Sequence, residues 1–248
     1  MPLILEVLND IAPKGGWVIP SMGADFGKAM DQVAILRSFD FPTAMALPMA
    51  SATRPAGVAT GLRKLADAYR RPIIAYVRAE NYIAPRDMAA LFADGAVCAL
   101  KYAVERKDPA EDRYLAALVD AAGAERIISG MGERPAIVHL TRFGLQGFTS
   151  GSVCIAPHLS SAILAAVKAG DVAAAEALRS KFLAFEDQRD ARSPIVVLHD
   201  GVRLAGITDT GPLQPFLANL DADGMAAVAP AAKALYEENA CFAQRRAA

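Results

Sequence analysis

Short apolar runs alternate along this chain with longer segments in which apolar residues recur every three or four positions. The short runs are typical of buried strands, and the longer spacing is typical of amphipathic helices. The runs predict strands over residues 16–22, 43–49, 72–77, 97–104, 126–130 and 147–154. The helical spacing predicts helices over residues 27–38, 56–69, 86–93, 110–122 and 135–143, and mostly helix from residue 157 onward.

Strands and helices that alternate in this way indicate a parallel sheet covered by helices. A closed barrel and an open doubly wound sheet share this pattern, and periodicity alone does not separate them. In both architectures the chemistry lies at the carboxyl ends of the strands. Lys101, Tyr76 and the segment 129–132 all lie at or near such ends.

The composition narrows the class of protein. Hydrophobic residues make up 54% and charged residues 21% of the 248 positions, as expected for a globular chain that can bury a full core. The net charge of -1 gives no basic surface for nucleic acid or for an anionic membrane. No apolar run reaches the roughly 18 residues that a spanning helix needs. Three cysteines without a spacing pattern, Cys98, Cys154 and Cys241, favour the reducing cytoplasm.

Lys101 is a cation inside the apolar run 97–104. Burial disfavours a charged ammonium, and a neutral lysine in an apolar pocket can attack a carbonyl to form a Schiff base. Strand alternation puts Ala99, Lys101 and Ala103 on one face, so the neighbours are small and leave room for a ligand. Two structural interpretations stay open: an edge-strand lysine with its head in solvent, and a buried lysine paired with a carboxylate.

Tyr76 shares one face of the preceding strand with Ile74 and Arg78. If the two strands are neighbours, its hydroxyl can approach Lys101 and move protons during carbinolamine formation and bond cleavage. The structural alternative is a core tyrosine whose hydroxyl is satisfied by a hydrogen bond.

Four segments carry a resemblance to a known family. They are Ile73-Ile74-Ala75-Tyr76, Val97-Cys98-Ala99-Leu100-Lys101, Ile127-Ile128-Ser129-Gly130 and Gly147-Phe148-Thr149-Ser150-Gly151-Ser152, in that order. Together with the helical C-terminal region, they resemble the dihydrodipicolinate synthase and N-acetylneuraminate lyase family of class I aldolases. The resemblance implies an α/β fold, a (β/α)8 TIM barrel with a C-terminal helical extension. It assigns residues 1–156 to the barrel and 157–248 to the last barrel helix and the extension, packed as one domain.

The resemblance also implies a role for individual residues. Lys101 corresponds to the lysine that forms a Schiff base with pyruvate or a related 2-oxo acid, and Tyr76 to the tyrosine that relays protons. Gly130 and Thr149 correspond to positions whose backbone lines the oxo-acid pocket. Such a lyase requires no metal and no organic cofactor, and the family implies a cytoplasmic homo-oligomer, either a dimer or a tetramer.

The chain departs from the family in its first part. The family has a Gly-Thr-Thr-Gly-Glu-like motif whose hydroxyls and amides hold the 2-oxo carboxylate, and this sequence has no such motif. Its first strand, near residues 17–20, resembles the third strand of the family, so about six βα units are present where a closed barrel has eight. Either the reading frame starts further upstream, or another chain completes an open barrel. We favour the upstream start, because a sheet without two of its strands would expose apolar edges.

Further departures bear on the substrate. Where dihydrodipicolinate synthases have an arginine for the carboxylate of the second substrate, this chain has Asn81, and Arg78 is displaced along the strand. The paired tyrosines of those enzymes are replaced by Met49 and Ala50. We therefore expect Asn81 and Arg78 to contact the substrate. An aldolase or dehydratase acting on a 2-keto-3-deoxy sugar acid or a similar oxo acid fits these residues as well as dihydrodipicolinate synthase activity does.

Two other functions stay open. A non-catalytic 2-oxo-acid sensor would keep the lysine pocket without the carboxylate-binding motif. A phosphate-binding barrel enzyme would use the segment 149–152, because barrels often bind phosphate after their last two strands.

Other polar residues give weaker signals. His139, His158 and His199 are scattered without the spacing of a metal site, and the segment 130–135 lacks the third glycine of a dinucleotide fingerprint. We therefore expect neither a metal nor NAD. The charged residues between 105 and 113 predict a solvated loop and helix face.

Overall fold

The computed structural model describes residues 2–11, 15–49 and 53–247. The strands within these ranges are β1 (Ser21–Met22), β2 (Met45–Ala46), β3 (Ile73–Val77), β4 (Val97–Tyr102) and β5 (Ile127–Ser129). The first helices are α1 (Pro2–Ile11), α2 (Phe26–Leu36), α3 (Pro55–Tyr69), α4 (Pro85–Ala93) and α5 (Arg113–Ala122). They are followed by α6 (Ala136–Arg142), α7 (Pro157–Lys168), α8 (Val172–Arg179), α9 (Leu183–Ala191), α10 (Pro194–Leu204) and α11 (Ala222–Ala247). Ala50, one of the substrate positions considered from the sequence, lies outside the described residues.

The strands form one parallel sheet in the order β1-β2-β3-β4-β5. Consecutive strands are therefore neighbours, as they are in a TIM-type barrel. Ile73, Val77 and Leu100 are completely buried, as expected for strands that are covered on both faces. The predicted α/β class and the predicted alternation of strands and helices are confirmed.

The pairing of β3 with β4 contains one irregularity. Ile73 pairs with Val97, but Ile74 pairs with Ala99, so Cys98 is an extra residue in β4. The thiol of Cys98 lies 3.5 Å from the carbonyl oxygen of Ile73, which places it against the backbone at the point where the register shifts.

The predicted strand over residues 147–154 is wrong. Phe148 alone forms a bridge, and Ser152–Cys154 is a 3₁₀ turn. Glycine and serine have low strand propensity, and Gly151 adopts helical dihedrals with φ -78° and ψ -36°. The first strand is also shorter than predicted, because only Ser21–Met22 is paired.

Two aspartates fix the starts of helices next to the sheet. The carboxylate of Asp25 accepts a hydrogen bond from the Lys28 N–H at the start of α2. Asp112 accepts one from the Leu115 N–H at the start of α5. These N-caps satisfy backbone donors that the first helical turn leaves open.

The chain divides into two compact units. Unit 1 consists of Met1–Gly130 and Arg142–Gln146 and contains the sheet. Unit 2 consists of Met131–Thr141 and Gly147–Ala248 and is helical, as predicted for the region after residue 157. Its core includes Ile155, Leu159, Ile163, Phe182, Phe185, Val197 and Val228. The division into functional portions at residue 156 stays a prediction. No helix in the described ranges is long and apolar enough to cross a membrane.

Candidate active site

Tyr76 on β3 and Lys101 on β4 are direct partners in the parallel pairing. Paired residues of neighbouring strands point to the same face of the sheet. The Nζ atom of Lys101 lies 4.4 Å from the centre of the Tyr76 ring, which is within cation–π distance. The structure therefore brings together the two residues that the sequence predicted as nucleophile and proton relay.

The surroundings of Lys101 favour its neutral form. Burial lowers the pKa of the Lys101 ammonium, and the positive charge of Arg78 lowers it further. No carboxylate among the described residues offsets these two effects. The buried ion pair considered from the sequence is therefore absent from this part of the chain, and a larger share of the amine is neutral at a given pH than in a free lysine.

The surroundings that lower the pKa of Lys101 raise the pKa of Tyr76. Burial raises the pKa of the Tyr76 phenol, and the charge of Arg78 lowers it by a smaller amount. The hydroxyl therefore keeps its proton at neutral pH and can donate it to a nearby acceptor.

Gly130 packs directly against the stem of Lys101. A Cβ atom at Gly130 would lie 2.9 Å from both Cγ and Cε of Lys101 and 3.0 Å from Cβ of Ala103. The Gly130 N–H donates to the carbonyl of Tyr102 at 2.6 Å, which continues the pairing beyond β5. The structure thus places this predicted pocket residue beside Lys101, where a larger residue would displace the lysine.

Arg78 and Asn81 follow β3 at its carboxyl end. Arg78 is exposed, and none of the ion pairs among the described residues includes it. Its charge influences both Lys101 and Tyr76. Asn81 is exposed in the turn that follows and adopts a left-handed conformation with φ 55°.

The charged segment 105–113 is mostly exposed, as predicted, but Asp112 is buried and takes part in a polar network beside β4. The Tyr102 hydroxyl donates to Asp112 at 2.7 Å, and Arg106 donates to Asp112 at 2.9 Å and to Glu80. Burial would raise the pKa of Asp112, but the bonds from Arg106, the Leu115 N–H and Tyr102 outweigh it and lower the pKa. The network ties the segment after the lysine strand to α5. Asp112 is the N-cap of α5, but the helix predicted over residues 110–122 begins before it, so the sequence interpretation missed this signal.

Thr149, the remaining predicted pocket residue, belongs to unit 2. The neighbouring hydroxyls are already engaged: Ser150 donates to Glu133 at 2.6 Å, and Ser152 accepts from Arg189 at 3.2 Å. A phosphate at this segment would meet the carboxylate of Glu133. These contacts argue against the phosphate-binding interpretation of residues 149–152.

The histidines with described contacts take structural positions. His139 is buried, with 2% of its surface exposed, and His199 bonds through Nε2 to the carbonyl of Thr210 at 3.0 Å. Within the ranges that the structure describes, no group of three or more His, Cys, Asp or Glu residues could hold a metal ion.

The chain matches no protein-family model and no curated protein sequence. Its fold, in contrast, matches many solved structures. The parallel sheet, the alternating helices and the helical C-terminal region define an α/β protein of the TIM-barrel type.

The matching structures include dihydrodipicolinate synthases and their relatives. The 4-hydroxy-tetrahydrodipicolinate synthase of Methylacidiphilum fumariolicum SolV superposes with a TM-score of 0.80 at 17% identity, over 98% of this chain and 79% of that one. Dihydrodipicolinate synthase of Oceanobacillus iheyensis gives 0.79 at 19% identity, over 94% and 76%. YagE of E. coli K12, a prophage protein of the dihydrodipicolinic acid synthase family solved in complex with pyruvate, gives 0.78 at 17% identity, over 94% and 80%. The resemblance inferred from the sequence is confirmed at the level of the fold.

Proposed function

We propose that the protein is a Schiff-base-forming lyase, an aldolase or dehydratase that acts on pyruvate or a related 2-oxo acid. The observation that carries the proposal is the pairing of Tyr76 with a partly buried Lys101 that has no carboxylate partner among the described residues. The fold shared with dihydrodipicolinate synthases supports the same class of chemistry.

In this mechanism the neutral Nζ of Lys101 attacks the C2 carbonyl carbon of the oxo acid. The Tyr76 hydroxyl donates a proton to the carbonyl oxygen and takes one back from the attacking nitrogen, so that a neutral carbinolamine forms. Tyr76 then protonates the carbinolamine hydroxyl, which leaves as water and gives an iminium ion. The iminium accepts the electron pair released when a bond at the neighbouring carbon breaks, which gives an enamine. Protonation of the enamine carbon restores the iminium, and its hydrolysis returns the oxo acid and the free lysine.

Arg78 is proposed to bind the carboxylate of the substrate. Arg78 is an exposed cation without an ion-pair partner among the described residues, and its charge influences both Lys101 and Tyr76. A guanidinium binds a carboxylate through two parallel hydrogen bonds. Gly130 and Asn81 are proposed to line the remainder of the pocket, and the role of Thr149, which belongs to unit 2, stays a prediction.

Borohydride trapping tests the proposal directly. Incubation with pyruvate and sodium borohydride is expected to add the mass of pyruvate less one oxygen atom to the peptide that contains Lys101. Lys107→Arg is the matched control and is expected to label as strongly as the wild type, whereas Lys101→Arg is expected not to label. Labelling of other lysines without Lys101 would overturn the proposal.

A non-catalytic oxo-acid sensor is the second candidate, favoured by the missing carboxylate-binding motif. Saturable binding of pyruvate without turnover of any 2-oxo acid would support it. A cytoplasmic location and assembly into a dimer or tetramer stay predictions.

A further inference from the structure

Unit 2 contains two buried carboxylates that the proposed mechanism does not use. Glu133 has none of its surface exposed and Glu186, on α9, has 2% exposed. The backbone N–H of Glu133 donates to Oε1 of Glu186 at 3.3 Å, and the negative charge of Glu133 acts on Glu186. Two neighbouring buried acids repel each other when both are charged.

The two carboxylates are satisfied to different degrees. Glu133 accepts hydrogen bonds on both oxygens, from Ser150 at 2.6 Å and from Ser160 at 2.7 Å. Oε2 of Glu186 has no hydrogen-bond partner among the described residues. The nearest cations are too distant for a normal hydrogen bond, with Arg189 Nη1 at 3.6 Å from Oε1 and Arg134 Nε at 3.9 Å from Oε2.

Glu186 therefore changes its charge near neutral pH. Burial and the negative charge of Glu133 raise its pKa to about 7, although Arg189 and Arg134 act in the opposite direction. The free Oε2 atom is where the proton can reside without breaking a hydrogen bond. The guanidinium of Arg134 also pairs with Asp187 and Asp190, which leaves it less able to neutralise Glu186.

The same groups hold the segment 149–152. Ser150 is bonded to Glu133, and Ser152 accepts from Arg189 at 3.2 Å. The Gly132 N–H, next to Glu133, donates to the carbonyl of Thr149 at 3.1 Å. Glu133 and Arg189 are therefore both bonded directly to this segment.

We propose that Glu133, Glu186 and Arg189 form a proton-dependent clamp on residues 149–152. When Glu186 is protonated, Glu133 is the one anion of the pair and Arg189 is free to hold Ser152. When the proton leaves for water, the second carboxylate repels Glu133 and draws Arg189 away from Ser152. The charged side chains that face Glu186 are Glu133 and Arg134 from the segment before α6 and Arg189 from α9 itself.

The direction of the pH dependence follows from linkage. The pKa of Glu186 rises from 4.5 to about 7 on folding, so the folded state binds the proton more tightly than the unfolded state. The added stability is complete below pH 4.5, falls as the pH rises to about 7 and is absent above it.

Hydrogen exchange of the full chain, read by mass spectrometry between pH 5.5 and 8, tests the clamp. After correction for intrinsic exchange, protection of the amides of residues 149–152 is expected to fall with rising pH, by on the order of tenfold or more in the wild type. Glu186→Gln, which cannot lose a proton, is expected to show a flat profile. The exposed Glu237→Gln on α11 is the matched control and is expected to follow the wild type.

A flat wild-type profile would overturn the clamp, and this result needs no variant to fold. An undiminished pH dependence in Glu186→Gln would overturn it as well.

Discussion

Lys101 is half-buried and Glu186 is buried, and burial favours the neutral form of both, but their surroundings differ. Lys101 has a cation, Arg78, as its charged neighbour and an aromatic ring beside its nitrogen. Glu186 lies between Glu133 and two arginines. Lys101 lies near the carboxyl end of its strand, whereas Glu186 lies among charged groups of unit 2.

The difference shows that a shifted pKa alone does not identify a catalytic group. What distinguishes Lys101 is its place near the carboxyl end of a parallel strand, where it pairs with Tyr76 and packs against Gly130. Glu186 lies on a helix, α9, and is buried. Perturbed groups cluster at functional sites, but structural networks perturb pKa values too.

The largest expected effect is the loss of chemistry in Lys101→Ala. Without the nucleophile, turnover of the oxo acid is expected to fall by on the order of 10⁴-fold. The free energy of unfolding is expected to stay equal or to rise, because an unpaired cation is removed from a partly buried site. Steady-state kinetics and urea denaturation measure the two effects, and Lys107→Ala serves as the control. Loss of stability with retained turnover would contradict a catalytic role.

Tyr76→Phe keeps the ring beside Lys101 and removes the hydroxyl. We expect kcat to fall by about 10² to 10³-fold, since proton transfer loses its donor. Trapping at Lys101 is expected to persist at a slower rate, which separates the relay from the nucleophile. An unchanged kcat would assign Tyr76 to packing alone.

Glu133→Ala is expected to lower stability, whereas Lys101→Ala is expected to lower turnover and not stability. Glu133→Ala removes the acceptor of Ser150 and Ser160, so the free energy of unfolding is expected to fall by about 2–4 kcal/mol. Glu133→Gln retains one acceptor oxygen and is expected to lose less. Urea denaturation checks both, with Glu237→Ala expected to change stability by less than about 0.5 kcal/mol. A loss in Glu133→Ala no greater than in Glu237→Ala would contradict a structural role.

Gly130→Ala tests the space beside Lys101. The added Cβ would meet the lysine stem at 2.9 Å, so we expect a loss of about 1–3 kcal/mol and slower trapping with pyruvate. Gly57→Ala is the matched control, because no atom lies within 4 Å of its Cβ position and alanine favours the helix there. A trapping rate equal to that of Gly57→Ala would show that the lysine adjusts freely.

The smallest expected effect belongs to Arg78→Gln. KM for the oxo acid is expected to rise about tenfold, which corresponds to about 1.4 kcal/mol of lost carboxylate binding. The pKa of Lys101 is also expected to rise, because Arg78 lowers it, so the pH of half-maximal trapping moves upward. Arg86→Gln, an exposed arginine on α4, is the control. Loss of kcat with unchanged KM would reject the role in binding.

The sequence predicted the fold and the proximity of Tyr76 to Lys101 because both depend on local patterns. Alternation identified the faces of Tyr76 and Lys101, and parallel pairing joined them. The contact between Glu133 and Glu186 joins residues far apart in sequence, so no local pattern could predict it. The strand predicted over 147–154 failed because side-chain bonds of Ser150 and Ser152 determine that segment more than its hydrophobicity does.

The extra residue at Cys98 determines which side chains can meet across the sheet. Before it, β3 and β4 are paired at a separation of 24 residues (97 - 73), and beyond it the separation is 25 (101 - 76). With an uninterrupted register, Tyr76 would lie opposite Leu100, and Lys101 would face the other side of the sheet. The candidate chemistry thus depends on this register shift of one residue. Deleting Cys98 would move Tyr76 and Lys101 to opposite faces of the sheet, although both residues would still be present.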